Sequence, residues 1–133
     1  MSDPESNHAS WIEKAEHDLL SIRNNLAADQ VPWDVVCFHA QQAAEKLLKG
    51  FLVHGGRSAR KTHDLVGLLG ECVELDAALA ALEADCKLLT VYAIEPRYPE
   101  MLYEPNETEA RSAYEAARRV RAAILERLPE RGA

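Results

Sequence analysis

The sequence predicts an all-α fold, an antiparallel up-and-down helical bundle of four long helices plus one short helix. Apolar residues recur at spacings of three and four through most of the chain, and no segment shows the sustained alternation of Val, Ile, Thr or aromatic residues that marks a strand. The periodic segments are joined mostly by short connections, which favours antiparallel neighbours. The 133 residues, 47% hydrophobic and 6% aromatic, suit one domain with an aliphatic core.

Ser10-x-x-Glu13 has the form of a capping box, and Ile12, Ala15, Leu19, Ile22 and Leu26 follow it at helical spacing, which predicts a first helix over about 10–28. Pro32 breaks the pattern. A second helix is expected from Trp33 to about His54, where Gly55-Gly56 ends it. Its Val36, Ala40, Ala43, Leu47 and Phe51 fall on one side, and Phe38, His39, Gln42, Glu45, Lys46 and Lys49 on the other. Thr62 is placed to cap a short third helix carrying Leu65, Leu68, Leu69 and Cys72, in which Gly67 and Gly70 weaken the helix or admit a close neighbour. Asp76 is the expected N-cap of a fourth helix with Leu79, Leu82, Cys86 and Leu89 buried, ended by Pro96 and Pro99. After an irregular linker over 95–105, Asn106-x-x-Glu109 opens a last helix to about Leu128. Residues 1–9 and 129–133 are expected to be flexible ends of a domain over 10–128.

Twenty-two acids against fifteen Lys and Arg give a net charge of −7, which argues against a surface that grips duplex nucleic acid as a whole. A local anion site is still visible. From Lys46 to His63 the chain carries Lys46, Lys49, Arg57, Arg60 and Lys61 and no acid. Cys37, Cys72 and Cys86 form no C-x-x-C pair and lie among aliphatic residues, so reduced, buried thiols are expected. With no secretory leader pattern at the N-terminus and no run of about 18 apolar residues, a cytoplasmic protein with no membrane association is the expectation. Scattered histidines and the absence of a P-loop or Rossmann glycine pattern give no support for a metal or cofactor.

On the second helix, His39, Gln42, Lys46 and Lys49 share one side, where they present either a basic, hydrogen-bonding ridge or a solvated face with Glu45–Lys49 as an i,i+4 ion pair. Phe38 beside them points equally to dimer contact. His63-Asp64 places an imidazole at the start of the third helix, as a base or as a cap residue bonded to a carbonyl or to a carboxylate such as Asp64. Arg97-Tyr98, between two prolines, is a stiffened guanidinium for phosphate or carboxylate, or a tie from the linker to a neighbouring helix. On the last helix, Arg118, Arg119 and Arg121 are balanced by Glu107, Glu109 and Glu115, the pattern of a solvated face.

The run Phe38-His39-Ala40-Gln41-Gln42-Ala43-Ala44-Glu45-Lys46-Leu47-Leu48-Lys49-Gly50, then Thr62-His63-Asp64-Leu65 with Leu68-Leu69, then Glu95-Pro96-Arg97-Tyr98-Pro99, resembles the HEPN domain (higher eukaryotes and prokaryotes nucleotide-binding). Trp11 to Leu20, with Ala15 and Asp18-Leu19, fits the same family, so the resemblance spans about 10–128. It implies a helical bundle that commonly dimerises, often beside a minimal nucleotidyltransferase in a toxin-antitoxin-like pair. It also implies a nucleotide- or RNA-binding role, for which Gln42, Lys46, Lys49, His63, Asp64, Arg97 and Tyr98 are the candidates.

The resemblance also implies an alternative, since some HEPN proteins are metal-independent ribonucleases that use an Arg and a His separated by four to six residues, with pairs of these motifs meeting across a dimer. Arg57 and His63, with five residues between them, match that spacing, but early in the chain. The later Arg97 has no histidine after it. A binding module, a ribonuclease toxin using Arg57 and His63, and a non-catalytic protein-binding adaptor are therefore the three readings carried forward.

Overall fold

The structure, a computed structural model, describes residues 4–93 and 104–129. Five α-helices form in chain order: α1 His8–Leu26, α2 Trp33–His54, α3 Leu65–Leu75, α4 Glu83–Thr90 and α5 Glu107–Leu125. No strand occurs among the described residues, as the periodicity predicts. The expected N-terminal capping box is not the cap. Asn7 accepts a hydrogen bond from the Ala9 amide, so α1 starts at His8, and Pro4–Ser6 before it is a 3-10 turn where a flexible end was expected.

α2 ends as its glycines predict. Gly56 takes φ +85°, the Arg57 amide bonds the Leu52 carbonyl and the Gly56 amide bonds that of Val53, which is a Schellman stop. At α3 the cap position falls on Asp64, two residues beyond the expected Thr62, whose hydroxyl instead accepts from the Asp64 amide. Asn106 does cap α5, through the Glu109 amide at 2.9 Å. Asp76 accepts from the Ala78 amide as expected, yet what it opens is a 3-10 helix over Ala77–Leu82, which leaves α4 only eight residues long. Leu79 and Leu82, three apart, are both buried. A three-residue turn puts such a pair on one line, whereas Leu82, Cys86 and Leu89 need the α period.

Side-chain contacts give the directions. The His8 ring meets His54, and Asp18 bonds both His39 and Lys46, so α1 and α2 are antiparallel. His63 bonds Glu45, the Cys72 thiol points to the Leu48 carbonyl, and Leu75 lies against Gly55, so α3 runs parallel to α2. Residues 55–64 therefore travel back along α2. Thr90 bonds the His63 carbonyl and the Leu65 amide, which sets α4 antiparallel to α3. Arg119–Asp85 and Tyr92–Glu109 set α5 antiparallel to α4. The four elements α1, α2, α4 and α5 thus alternate in direction, with α3 added alongside α2.

α2 packs against all four other helices and contributes thirteen buried residues, more than any other helix. Gly50 is what lets α1 approach it, because a Cβ there would stand 2.9 Å from Ile12 Cδ1 and 3.2 Å from Trp11 Cβ. Gly70, in contrast, has nothing within 4 Å of that position, and Gly67 leaves room for the Asp64 carboxylate. Opposite effects follow. Gly70→Ala is expected to stabilise by about 0.5–1 kcal/mol through helix propensity. Gly50→Ala should destabilise by about 1 kcal/mol or more, since overpacking exceeds the same propensity gain. Urea midpoints of the two variants check the signs.

Candidate functional site

The turn of α2 brings Phe38, Gln42, Lys46, Lys49 and Val53 onto one strip, bordered by α1 on one side and by the segment entering α3 on the other. The sequence reading offered this strip as a ridge or a solvated face. It is largely neither, because two carboxylates removed from water organise it. Asp18 of α1, 7% exposed, accepts from Lys46 Nζ at 2.6 Å and faces His39 Nδ1 at 2.8 Å. Glu45, 4% exposed, accepts from Lys49 Nζ at 2.9 Å and Gln41 Nε2 at 3.1 Å, and faces His63 Nδ1 at 2.7 Å. Gln42 in turn donates to Gln41 Oε1.

The Glu45–Lys49 pair, expected as a solvated i,i+4 contact, is therefore buried, and Lys49 also lies 5.5 Å from the centroid of the Trp11 ring. Burial is the largest single influence on the Glu45 carboxyl and opposes its ionisation. Hydrogen bonds from His63, Lys49 and Gln41, with the Lys49 charge, outweigh that together and hold it below the ordinary carboxylate value.

The His63 ring pairs with a carboxylate, as the cap-residue reading allows, but the carboxylate is Glu45 rather than Asp64. The His63 carbonyl accepts from Gln41 Nε2 at 3.4 Å and Thr90 Oγ1 at 3.3 Å. With Glu45 ionised, Nδ1 carries the hydrogen given to Oε1, and the side chain is 66% exposed, which leaves Nε2 as the ring nitrogen not engaged by Glu45. Asp64 beside it is exposed at the α3 N-terminus and makes no side-chain capping bond. Its negative charge occupies the end of the helix dipole where an anion would otherwise be attracted.

The basic stretch is mostly neutralised within the chain. Lys46 and Lys49 are paired as above, Arg57 binds Glu74 at 2.6 Å, and Arg60 pairs with Glu71. Lys61 is exposed. Arg57 also reaches the Glu71 carbonyl, near the far end of α3 from His63. The ten steps from Asp64 to Glu74 correspond to about 15 Å of helix. The structure thus does not bring Arg57 and His63 together. Arg57 instead lines a cavity of about 400 Å³ with Glu5, Ser6, Val53, Gly56 and Ser58.

Arg97 and Tyr98 lie outside the described residues. Arg118 pairs with Glu115 as a solvated helix would, but Arg119 and Arg121 reach across to Asp85 and Glu16, tying α5 to α4 and α1. The three cysteines are free and buried, and burial pushes each thiol up to about 12. Among the described residues no three His, Cys, Asp or Glu side chains converge on a metal position, and no helix is long and apolar enough to cross a membrane.

The sequence reading missed Asp18 and Gln41 as site residues. Each had a signal: Asp18 sits three after Ala15 and four before Ile22, and Gln41 four after Cys37 and three before Ala44, so both are polar groups on apolar faces.

A pH dependence follows from Glu45. Its folded value is depressed, so its contribution to stability is complete above the unfolded value near 4.5 and is lost as pH falls through the lower folded value. Glu45→Gln leaves Lys49 buried without its counter-charge and should cost about 3–5 kcal/mol at pH 7. The gap between wild type and variant in urea midpoint should shrink below about pH 4. A gap that stays constant from pH 7 to pH 3 would show that Glu45 is not held ionised by this network.

Comparison with known proteins places this geometry in a family. The HEPN domain family model matches residues 8–128. No curated protein matches the sequence. Among solved structures, the crystal structure of ST0689, an archaeal HEPN homologue, is similar with a TM-score of 0.71 and 25% identity, covering 91% of this chain and 97% of that one. A helical bundle whose paired carboxylates, imidazoles and lysines lie along α2, matched over nearly its whole length, belongs to the HEPN domain family.

Proposed function

We propose that the chain is a nucleotide- or RNA-binding module, acting in the cytoplasm as a homodimer beside a minimal nucleotidyltransferase in a toxin-antitoxin-like pair. The observation that carries the binding reading is His63, pinned at its carbonyl and at Nδ1 while its side chain stays 66% exposed, which leaves Nε2 for a ligand, an acceptor in the neutral ring. An acceptor held this way selects a donor. Asp64 next to it is a second acceptor, so a ribose hydroxyl suits this end of the strip better than a phosphate does. Lys46, a quarter exposed while bonded to Asp18, is the nearby cation for a phosphate oxygen, and Gln42 borders both. Lys49 supports the site from beneath by neutralising Glu45.

The ribonuclease reading has less support within one chain, because Arg57 pairs with Glu74 at the other end of α3 and would have to meet the partner's His63. What favours it still is His63 alone, whose Nε2, not engaged by Glu45, is left to act as a general base in the neutral ring.

A direct measurement compares an RNA oligonucleotide with DNA of the same sequence, and ATP with dATP, by fluorescence anisotropy or calorimetry in chelator. The ribose form should bind at least fivefold more tightly, with His63→Ala bringing it down to the deoxyribose level and Lys46→Ala weakening both. One or two phosphate contacts predict a shallow slope of log affinity on log salt, about −0.7 to −1.4. Folded protein that binds neither nucleotide nor RNA at 50 mM salt would sink the binding reading and leave the protein-binding adaptor. RNA cleavage lost in His63→Ala would convert it to the ribonuclease reading.

A further inference from the structure

His8, in the first turn of α1, and His54, in the last turn of α2, belong to no part of the site described above, yet their rings stand 4.8 Å apart between centroids at 70° to one another. Two imidazoles on adjacent corners of a tetrahedral metal, at metal–nitrogen distances of about 2.0–2.1 Å, have ring centroids about 5 Å apart. We propose that His8 and His54 form a two-histidine clip for a borderline divalent cation such as Zn²⁺, Ni²⁺ or Cu²⁺, which staples the open end of the α1–α2 hairpin. Metal binding requires each ring to turn so that one nitrogen of each imidazole faces a shared point.

The surroundings fit this chemistry. Burial and the neighbouring His54 keep His8 below the ordinary histidine value, so near neutral pH it is the uncharged ligand that a metal needs. His54 sits at the carboxyl end of α2, where the helix dipole favours a cation; the amino end of α1 at His8 opposes it. His54 is exposed and His8 half-buried, which gives water room to complete the coordination; the roughly 400 Å³ cavity of Glu5, Ser6, Val53, Gly56, Arg57 and Ser58 is lined by neither histidine. With two protein ligands the clip is an open site, unlike the closed four-ligand site of a structural zinc. Affinity should follow ligand preference, with Cu²⁺ tightest and Mg²⁺ not bound.

The test uses the full chain carrying no added histidines, titrated with Zn²⁺, Ni²⁺ and Cu²⁺ by calorimetry and followed by thermal unfolding at pH 7.5. One ion per chain should bind, and metal at a hundredfold excess over Kd should raise Tm by about 5–10 °C. His8→Ala and His54→Ala, each shown to fold by circular dichroism, should weaken binding at least tenfold, while His17→Ala leaves it unchanged. Lowering the pH to 5.5 should abolish it as protons compete. No saturable binding to folded wild-type protein, or binding that survives in both variants, overturns the proposal.

Discussion

Two carboxylates held out of water, Asp18 and Glu45, govern where Lys46, Lys49 and His39 of α2 sit. An ionised carboxylate at 4–7% exposure is tolerable only if donors surround it. Each here receives a lysine on α2 and faces a histidine Nδ1, and Glu45 adds Gln41. The pattern has a structural consequence beyond pairing. Asp18 ties α1 to α2, and Glu45 ties α2 to the segment that enters α3, so the two carboxylates fix α2 between its neighbours by directional contacts where aliphatic packing alone is permissive. Gly50 complements this by letting α1 come close enough for Asp18 to reach Lys46 and His39.

The helices were legible in the sequence because each carries a stripe of its own. α2 reads from Trp33 to the Gly55-Gly56 stop without ambiguity, since apolar period and C-terminal glycines agree. Where the reading failed, local signals competed. Ser10-x-x-Glu13 has the form of a capping box, but Asn7 three residues earlier offers an equally good side-chain acceptor and the apolar stripe does not distinguish them. Along Ala77–Leu82 a leucine pair three apart satisfies a 3-10 turn as well as an α-helix. The length of α4 therefore depended on packing against α3 and α5, which no local pattern encodes.

The site was legible in its residues and not in its connections. Gln42, Lys46, Lys49 and His63 are found along or beside one strip, but the Lys46 and His63 partners lie 28 and 18 residues away in sequence, where no local pattern points to them. Burial of Lys49 and exposure of His63 both follow from one atom pair, the oxygens of Glu45. A spacing match such as Arg57 with His63 carries no such information. Five residues of loop can fold together or stretch apart, and here residues 55–64 run back along α2, leaving Arg57 beside Glu74 and His63 beside Glu45.

The electrostatics of this bundle therefore differ from what its basic stretch promises. A run of five cations in an acidic chain reads as an anion trap, yet four of the five spend their charge on acids of the same chain, and the N-terminus of α3 is faced by Asp64. Long-range attraction for a polyanion is correspondingly small, and the net charge of −7 repels one. What survives neutralisation is geometry: an imidazole, an amide and a lysine head held in register by buried partners. Under the proposed binding role, such a surface discriminates by hydrogen-bond complementarity, because a hydroxyl missing from a ligand leaves a ring nitrogen of the anchored imidazole unmatched whereas a missing phosphate removes only a screened contact. Neutralised charge and a rigid donor–acceptor pattern thus have the same origin in the two buried carboxylates.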